Sequence, residues 1–82
     1  MRRRSSPMFA RIQLSNLSPR TSDEKVRRLA SDFGQVLDSR VDRDRATGSV
    51  VYGDLRDAAA AVAALNGREL DGNRVVVTGT AD

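Results

Sequence analysis

SVVYGDLRDAAAAVAALNGRELDGNRVVVT, residues 49–78, reads as strand, helix, turn and strand in quick succession. Ser49-Val50-Val51-Tyr52 is rich in β-branched and aromatic side chains, which suit a pleated, half-buried surface. Asp54 then offers a carboxylate to the first turn of a helix expected over Asp54–Asn66, and Gly67 stands just past its end. Ala58, Ala61, Val62 and Leu65 fall on one stripe at helical spacing. Ala59, Ala60, Ala63 and Ala64 cost nothing in helix propensity, and the alanine-rich face permits close approach to a sheet. Leu70-Asp71-Gly72-Asn73 is a turn signal, and Arg74 to Thr78 predicts a closing strand.

The same unit is legible upstream. From Phe9 to Leu17 the residues alternate, with Ile12 and Leu14 on one face and Arg11, Gln13 and Ser15 on the other, until Asn16 and Ser18-Pro19 end the strand. Thr21 followed by Glu24 matches a capping box, and Asp23 and Glu24 suit the positive end of the helix dipole. Val26, Leu29, Ala30 and Phe33 recur at helical spacing, and Gly34 sits where a left-handed cap ends a helix. Val36 to Val41 predicts a further strand, interrupted by Asp38, Ser39 and Arg40, and Asp42–Gly48 a charged turn. The order βαββαβ predicts an α+β, ferredoxin-like fold: a four-stranded antiparallel sheet with two helices on one face and the other face open. This domain is expected over residues 9–80. Residues 1–8, MRRRSSPM, predict a flexible Arg/Ser-rich arm, and residues 81–82 a short C-terminal end.

Eighty-two residues, 39% hydrophobic and 30% charged, suit one globular domain. Cysteine and histidine are absent, which removes disulfide scaffolds, Cys/His zinc sites, thiol nucleophiles and imidazole-dependent triads. Serines are plentiful but have no base to activate them, so no catalysis is expected. Gly67 and Gly72 have the spacing of a phosphate loop but lack its Lys-Ser/Thr ending; Asp42, Asp44 and Gly48 fail as a calcium loop because Ala46 takes a ligand position. No metal or cofactor is expected. No apolar run approaches a membrane span, so the reading is a soluble intracellular module, monomeric as an isolated domain, in nucleus or cytoplasm. Net charge is +3, and Arg2, Arg3 and Arg4 account for all of it. Thirteen of the 14 basic residues are arginine. Guanidinium suits phosphates and bases, but a source-wide composition bias gives the same pattern, so charge alone does not decide the partner.

With these elements in order, residues 9–80 resemble the RNA recognition motif family. Ile12-Gln13-Leu14-Ser15-Asn16-Leu17 is similar to its first-strand signature, and Phe33-Gly34-Gln35-Val36 to its helix-to-strand corner. Asp57-Ala58, Ala61-Val62 and Leu65-Asn66-Gly67 resemble its second helix and exit turn. Leu70-Asp71-Gly72 before Arg74-Val75-Val76-Val77 resembles the approach to its last strand. Arg45 to Tyr52 falls on the third-strand motif K/R-G-F/Y-G/A-F-V-x-F/Y, with Arg45, Gly48, Val50 and Tyr52 matching. Thr47 and Ser49 occupy its two stacking positions, and Gln13 the aromatic position of the first strand. All three stacking platforms are therefore absent.

The resemblance implies binding of single-stranded RNA, here by weak, non-aromatic contacts in RNA processing or transport. Alternation places Arg11 and Gln13, Arg40 and Asp42, Thr47, Ser49 and Val51, and Val76 and Thr78 on the open face. The candidate RNA-binding residues are Arg11, Gln13, Arg40, Thr47 and Ser49 on that face, Arg43 and Arg45 in the charged turn, and Arg2, Arg3 and Arg4 in the arm. Guanidinium planes stack on bases, and Gln, Ser and Thr bond base edges. The alternative is a protein–protein adaptor domain in a ribonucleoprotein or export complex, docking a partner on the first helix around Arg27, Arg28 and Asp32.

Overall fold

The computed structural model describes residues 10–81. Strand β1 (Ala10–Ser15), helix α1 (Asp23–Ser31), strands β2 (Val36–Asp42) and β3 (Thr47–Tyr52), helix α2 (Leu55–Leu65), the short strands β4 (Glu69–Leu70) and β5 (Asn73–Arg74), and β6 (Val76–Ala81) follow in that order. The main sheet is antiparallel throughout, in the order β2-β3-β1-β6. Helix α1 packs over β2 and β3, and α2 over β1, β3 and β6. The expected two-layer α+β architecture is therefore present.

The core lies between the layers and is built by period-two alternation. Ala10, Ile12 and Leu14 of β1, Val50 and Tyr52 of β3, and Val75 and Val77 beside and within β6 point at the helices and are buried. Val26 and Ala30 of α1 and Ala58, Ala61 and Leu65 of α2 meet them. Burying each large aliphatic side chain contributes about 1.5–3 kcal/mol, so this interleaved set specifies which face of the sheet is covered. Tyr52 is fully buried, and its hydroxyl donates to the Ala30 carbonyl at 2.6 Å, tying the end of β3 to the end of α1.

Three local features differ from the sequence reading, while Asn16 ends β1 as that reading expects. The N-cap of α1 is Ser22, whose side chain accepts from Lys25 N at 3.1 Å, and not Thr21. Thr21 is buried and donates instead to Asp71 Oδ2 at 2.8 Å, which also pairs its other oxygen with Lys25 Nζ at 2.8 Å. Gly34 is not a left-handed cap: the C-cap is Asp32, and a Cβ at Gly34 would collide with the Asp57 side chain. Close approach of the two helix ends is what requires glycine there. Strand β1 stops at Ser15 because Asn16 turns left-handed at φ 61°, swinging Leu17 into the core. Asn16 tolerates that conformation and donates from Nδ2 to the Arg74 carbonyl at 2.9 Å.

The last difference lies after α2. The Asp71-Gly72 turn carries a small hairpin, β4 with β5, before the chain crosses to β6. Both turn residues have positive φ, 51° and 91°, as a tight hairpin of the primed kind demands. Gly67 N donates to Val75 O at 2.8 Å and Asn66 Oδ1 accepts from Val77 N at 3.0 Å, so the end of α2 is stitched to the start of β6.

Candidate nucleic-acid interface

The uncovered face of the sheet is organised in rows by strand register. Arg40 of β2, Ser49 of β3, Gln13 of β1 and Thr78 of β6 stand side by side across it. Asp42, Thr47, Ser15 and Val76 form the next row toward the β2–β3 loop. On the other side, Asp38, Val51 and Arg11 align, with Thr80 opposite Arg11 in register. Ser15 shares this face with Arg11 and Gln13, as strand alternation predicts; Asp38 belongs to it too, and parity with Arg40 would have placed it. Val76 is 48% exposed; among the described residues the other exposed large hydrophobics are Leu37 and Leu55.

Among the described residues, no aromatic ring reaches this surface. Tyr52 is buried on the helix side, and Phe33 packs against the core from the turn after α1. Gln13, Thr47 and Ser49 therefore present amide and hydroxyl groups where the family motif would present rings. Each stacked base is worth about 1–3 kcal/mol, so the face must work by other interactions.

Arg11, Gln13, Arg40, Arg43, Thr47 and Ser49 converge on one open depression of about 540 Å³. Val41, Asp42, Asp44 and Gly48 complete its wall. Three guanidinium groups thus face two carboxylates. Asp42 is engaged: its Oδ1 accepts from the backbone of Asp44 at 3.1 Å and of Arg45 at 3.3 Å, folding the loop, and its Oδ2 lies 3.8 Å from Arg45 Nε. Arg40 Nε lies 3.6 Å from Asp38 Oδ2, an exposed pair that leaves most of the guanidinium in water. Among the described residues, Arg43 and Asp44 form no ion pair with their side chains.

Arg45 lies in the β2–β3 loop beside Asp42, its Nε 3.8 Å from Asp42 Oδ2, and is not among the residues lining the depression. Arg2, Arg3 and Arg4 lie outside the described residues. The alternative docking residues Arg27 and Arg28 are exposed on α1, the layer opposite the depression.

Comparison with known proteins supplies the remaining observations. The family profile described as "RNA recognition motif" matches residues 12–76. The chain is 40% identical over 76 residues to "Glycine-rich RNA-binding protein 1" of Mycosarcoma maydis, an alignment covering 85% of this chain and 43% of that protein. It is 39% identical over 67 residues to "Serine/arginine-rich splicing factor 4" of Homo sapiens, covering 82% and 13%. The chain therefore spans less than half the length of either relative. Among solved structures, the RRM domain of S. pombe Puf1 superimposes with a TM-score of 0.83 at 26% identity, covering 92% of this chain and 94% of that one. The C. elegans NONO-1 homodimer shares the fold, with a TM-score of 0.78 at 20% identity over 83% of this chain and 27% of that one.

Proposed function

Because the chain belongs to the RNA recognition motif family, we propose that it is an RNA-binding module of RNA processing that holds single-stranded RNA across its open sheet face without stacking rings. The supporting observation is the convergence of Arg11, Gln13, Arg40, Arg43, Thr47 and Ser49 on one depression. Arg11 on the central strand β1 and Arg40 on the edge strand β2 track phosphates; Gln13, Ser49 and Thr47 bond base edges beside them. Relatives named as RNA-binding and splicing proteins support the processing role.

A complex of this kind is weak and electrostatic. Each phosphate neutralised on a single strand contributes about −0.7 to the slope of log affinity against log salt, so contacts by Arg11 and Arg40 give a slope of roughly −1 to −2. Arg2, Arg3 and Arg4, if they touch the same strand, steepen it. The test is a salt series of oligonucleotide binding for the full chain, Arg40→Ala, and a triple alanine variant at Arg2, Arg3 and Arg4. Arg40→Ala should weaken binding and flatten the slope without moving the thermal midpoint. Absence of saturable RNA binding at low salt would sink the proposal and leave the adaptor reading, with its partner on α1.

A further inference from the structure

The β2–β3 loop places two consecutive residues of opposite charge, Arg43 and Asp44, in the wall of the depression. Asp42 is consumed in folding the loop, through its two backbone hydrogen bonds and the neighbouring Arg45. Asp44 and Arg43 both line the depression, and among the described residues neither side chain has an ion-pair partner. A carboxylate offers only acceptors and a guanidinium only donors. Consecutive in the loop and lining one depression, they make a short strip that offers both acceptors and donors.

We propose that this strip is a guanine subsite, with Asp44 accepting from base N1–H and N2–H and Arg43 donating to O6 and N7. The inference rests on the RNA-binding reading above and goes beyond it by naming the base. The reason is the perimeter of the bases. Guanine alone presents two donors followed directly by two acceptors: N2–H, N1–H, O6, N7. Adenine offers acceptor, donor, acceptor along the corresponding edge, and so does uracil; cytosine puts two acceptors before its donor. Arginine forks and guanine O6/N7 are a well-matched pair, and an unstacked base in single-stranded RNA exposes both edges. Without aromatic platforms, which accept every base, selectivity on this face comes from hydrogen bonds.

The test uses the full chain and labelled uridine heptamers carrying one central guanosine, adenosine, cytidine, inosine or 7-deazaguanosine. Guanosine should bind about tenfold more tightly than adenosine, cytidine or uridine, the discrimination expected of one good bidentate contact. Inosine, which lacks the N2 amine, and 7-deazaguanosine, which lacks N7, should each lose part of that advantage. Asp44→Ala should remove the preference while all-uridine binding changes by less than threefold; Arg43→Ala should remove it too and also weaken all-uridine binding, because Arg43 belongs to the RNA-binding depression. Both side chains are exposed and the Asp42 turn uses only backbone groups here, so amide spectra of the variants should keep native dispersion. RNA binding with no preference for guanosine would overturn the subsite and leave the RNA reading standing. No binding to any heptamer would overturn both.

Discussion

At the scale of single residues, two positions carry measurable consequences. Ala46 sits in the left-handed region at φ 57°, where the family motif has glycine. It is held there because its carbonyl accepts from Leu17 N at 2.9 Å, closing the β2–β3 loop against the end of β1. A left-handed alanine costs about 1–2 kcal/mol, partly offset by the greater entropy of an unfolded glycine. Ala46→Gly should therefore stabilise the domain by about 1 kcal/mol in urea unfolding; a loss of stability would contradict the strain. Tyr52 is the second position. Burial, with Asp57 and Asp32 nearby, pushes its hydroxyl up from 10.0 to about 12. The folded state thus prefers the neutral phenol, so its contribution is complete below the ordinary value and is lost as pH rises through the folded one. Stability should fall by roughly 2–3 kcal/mol across that interval. Tyr52→Phe should cost about 1 kcal/mol at neutral pH and abolish most of the alkaline fall. The Ala30 carbonyl keeps its bond from Phe33 N in that variant, which limits the loss.

At the scale of elements, the ties between segments explain what the sequence reading could and could not supply. Asp71, in the hairpin turn, binds the start of α1 through Lys25 and Thr21, and these hydrogen bonds hold its carboxyl below the usual carboxylate range. Its contribution is present above the ordinary carboxylate value and is lost as pH falls through the lowered one. Asp71→Asn should lower the thermal midpoint at neutral pH and leave it less dependent on acid, the two proteins converging as pH falls through the lowered value. A variant curve parallel to the parent would contradict the tie. Both helices and all four main strands were legible, because their apolar residues recur at periods of 3.6 and 2. The Thr21 assignment failed because Thr21 and Ser22 are both good caps, and the choice between them depends on Asp71, 50 residues away. The weak alternation of β2 has a cause as well: the register shifts between Val36 and Asp38, leaving Leu37 extra and 46% exposed. The β4–β5 hairpin was missed although Asp-Gly signals one, since two-residue strands carry no periodicity.

At the scale of the molecule, one face of the sheet supplies the core and the other supplies the interface. Which residues share that outer face followed from strand parity: Arg11, Gln13, Arg40, Thr47 and Ser49 meet as expected. Arg45 sits in the charged turn as expected, and there its place is set by local contacts and not by strand alternation: its backbone N–H donates to Asp42 Oδ1 at 3.3 Å and its Nε lies 3.8 Å from Asp42 Oδ2. If the absent rings limit affinity, restoring them on the register pair Gln13 and Ser49 should help directly. The double variant Gln13→Phe with Ser49→Phe should bind RNA about ten- to hundredfold more tightly. An unchanged affinity would place the RNA elsewhere. The central claim, that RNA lies across this face, ring-free among the described residues, is tested most directly by an amide NMR titration of the full chain with short single-stranded RNA at about 0.15 M salt. The account predicts saturating shifts at Gln13, Arg40, Thr47 and Ser49, with the amides of α1 and α2 unmoved. Shifts confined to α1 around Arg27 and Arg28, or none at all, would contradict it.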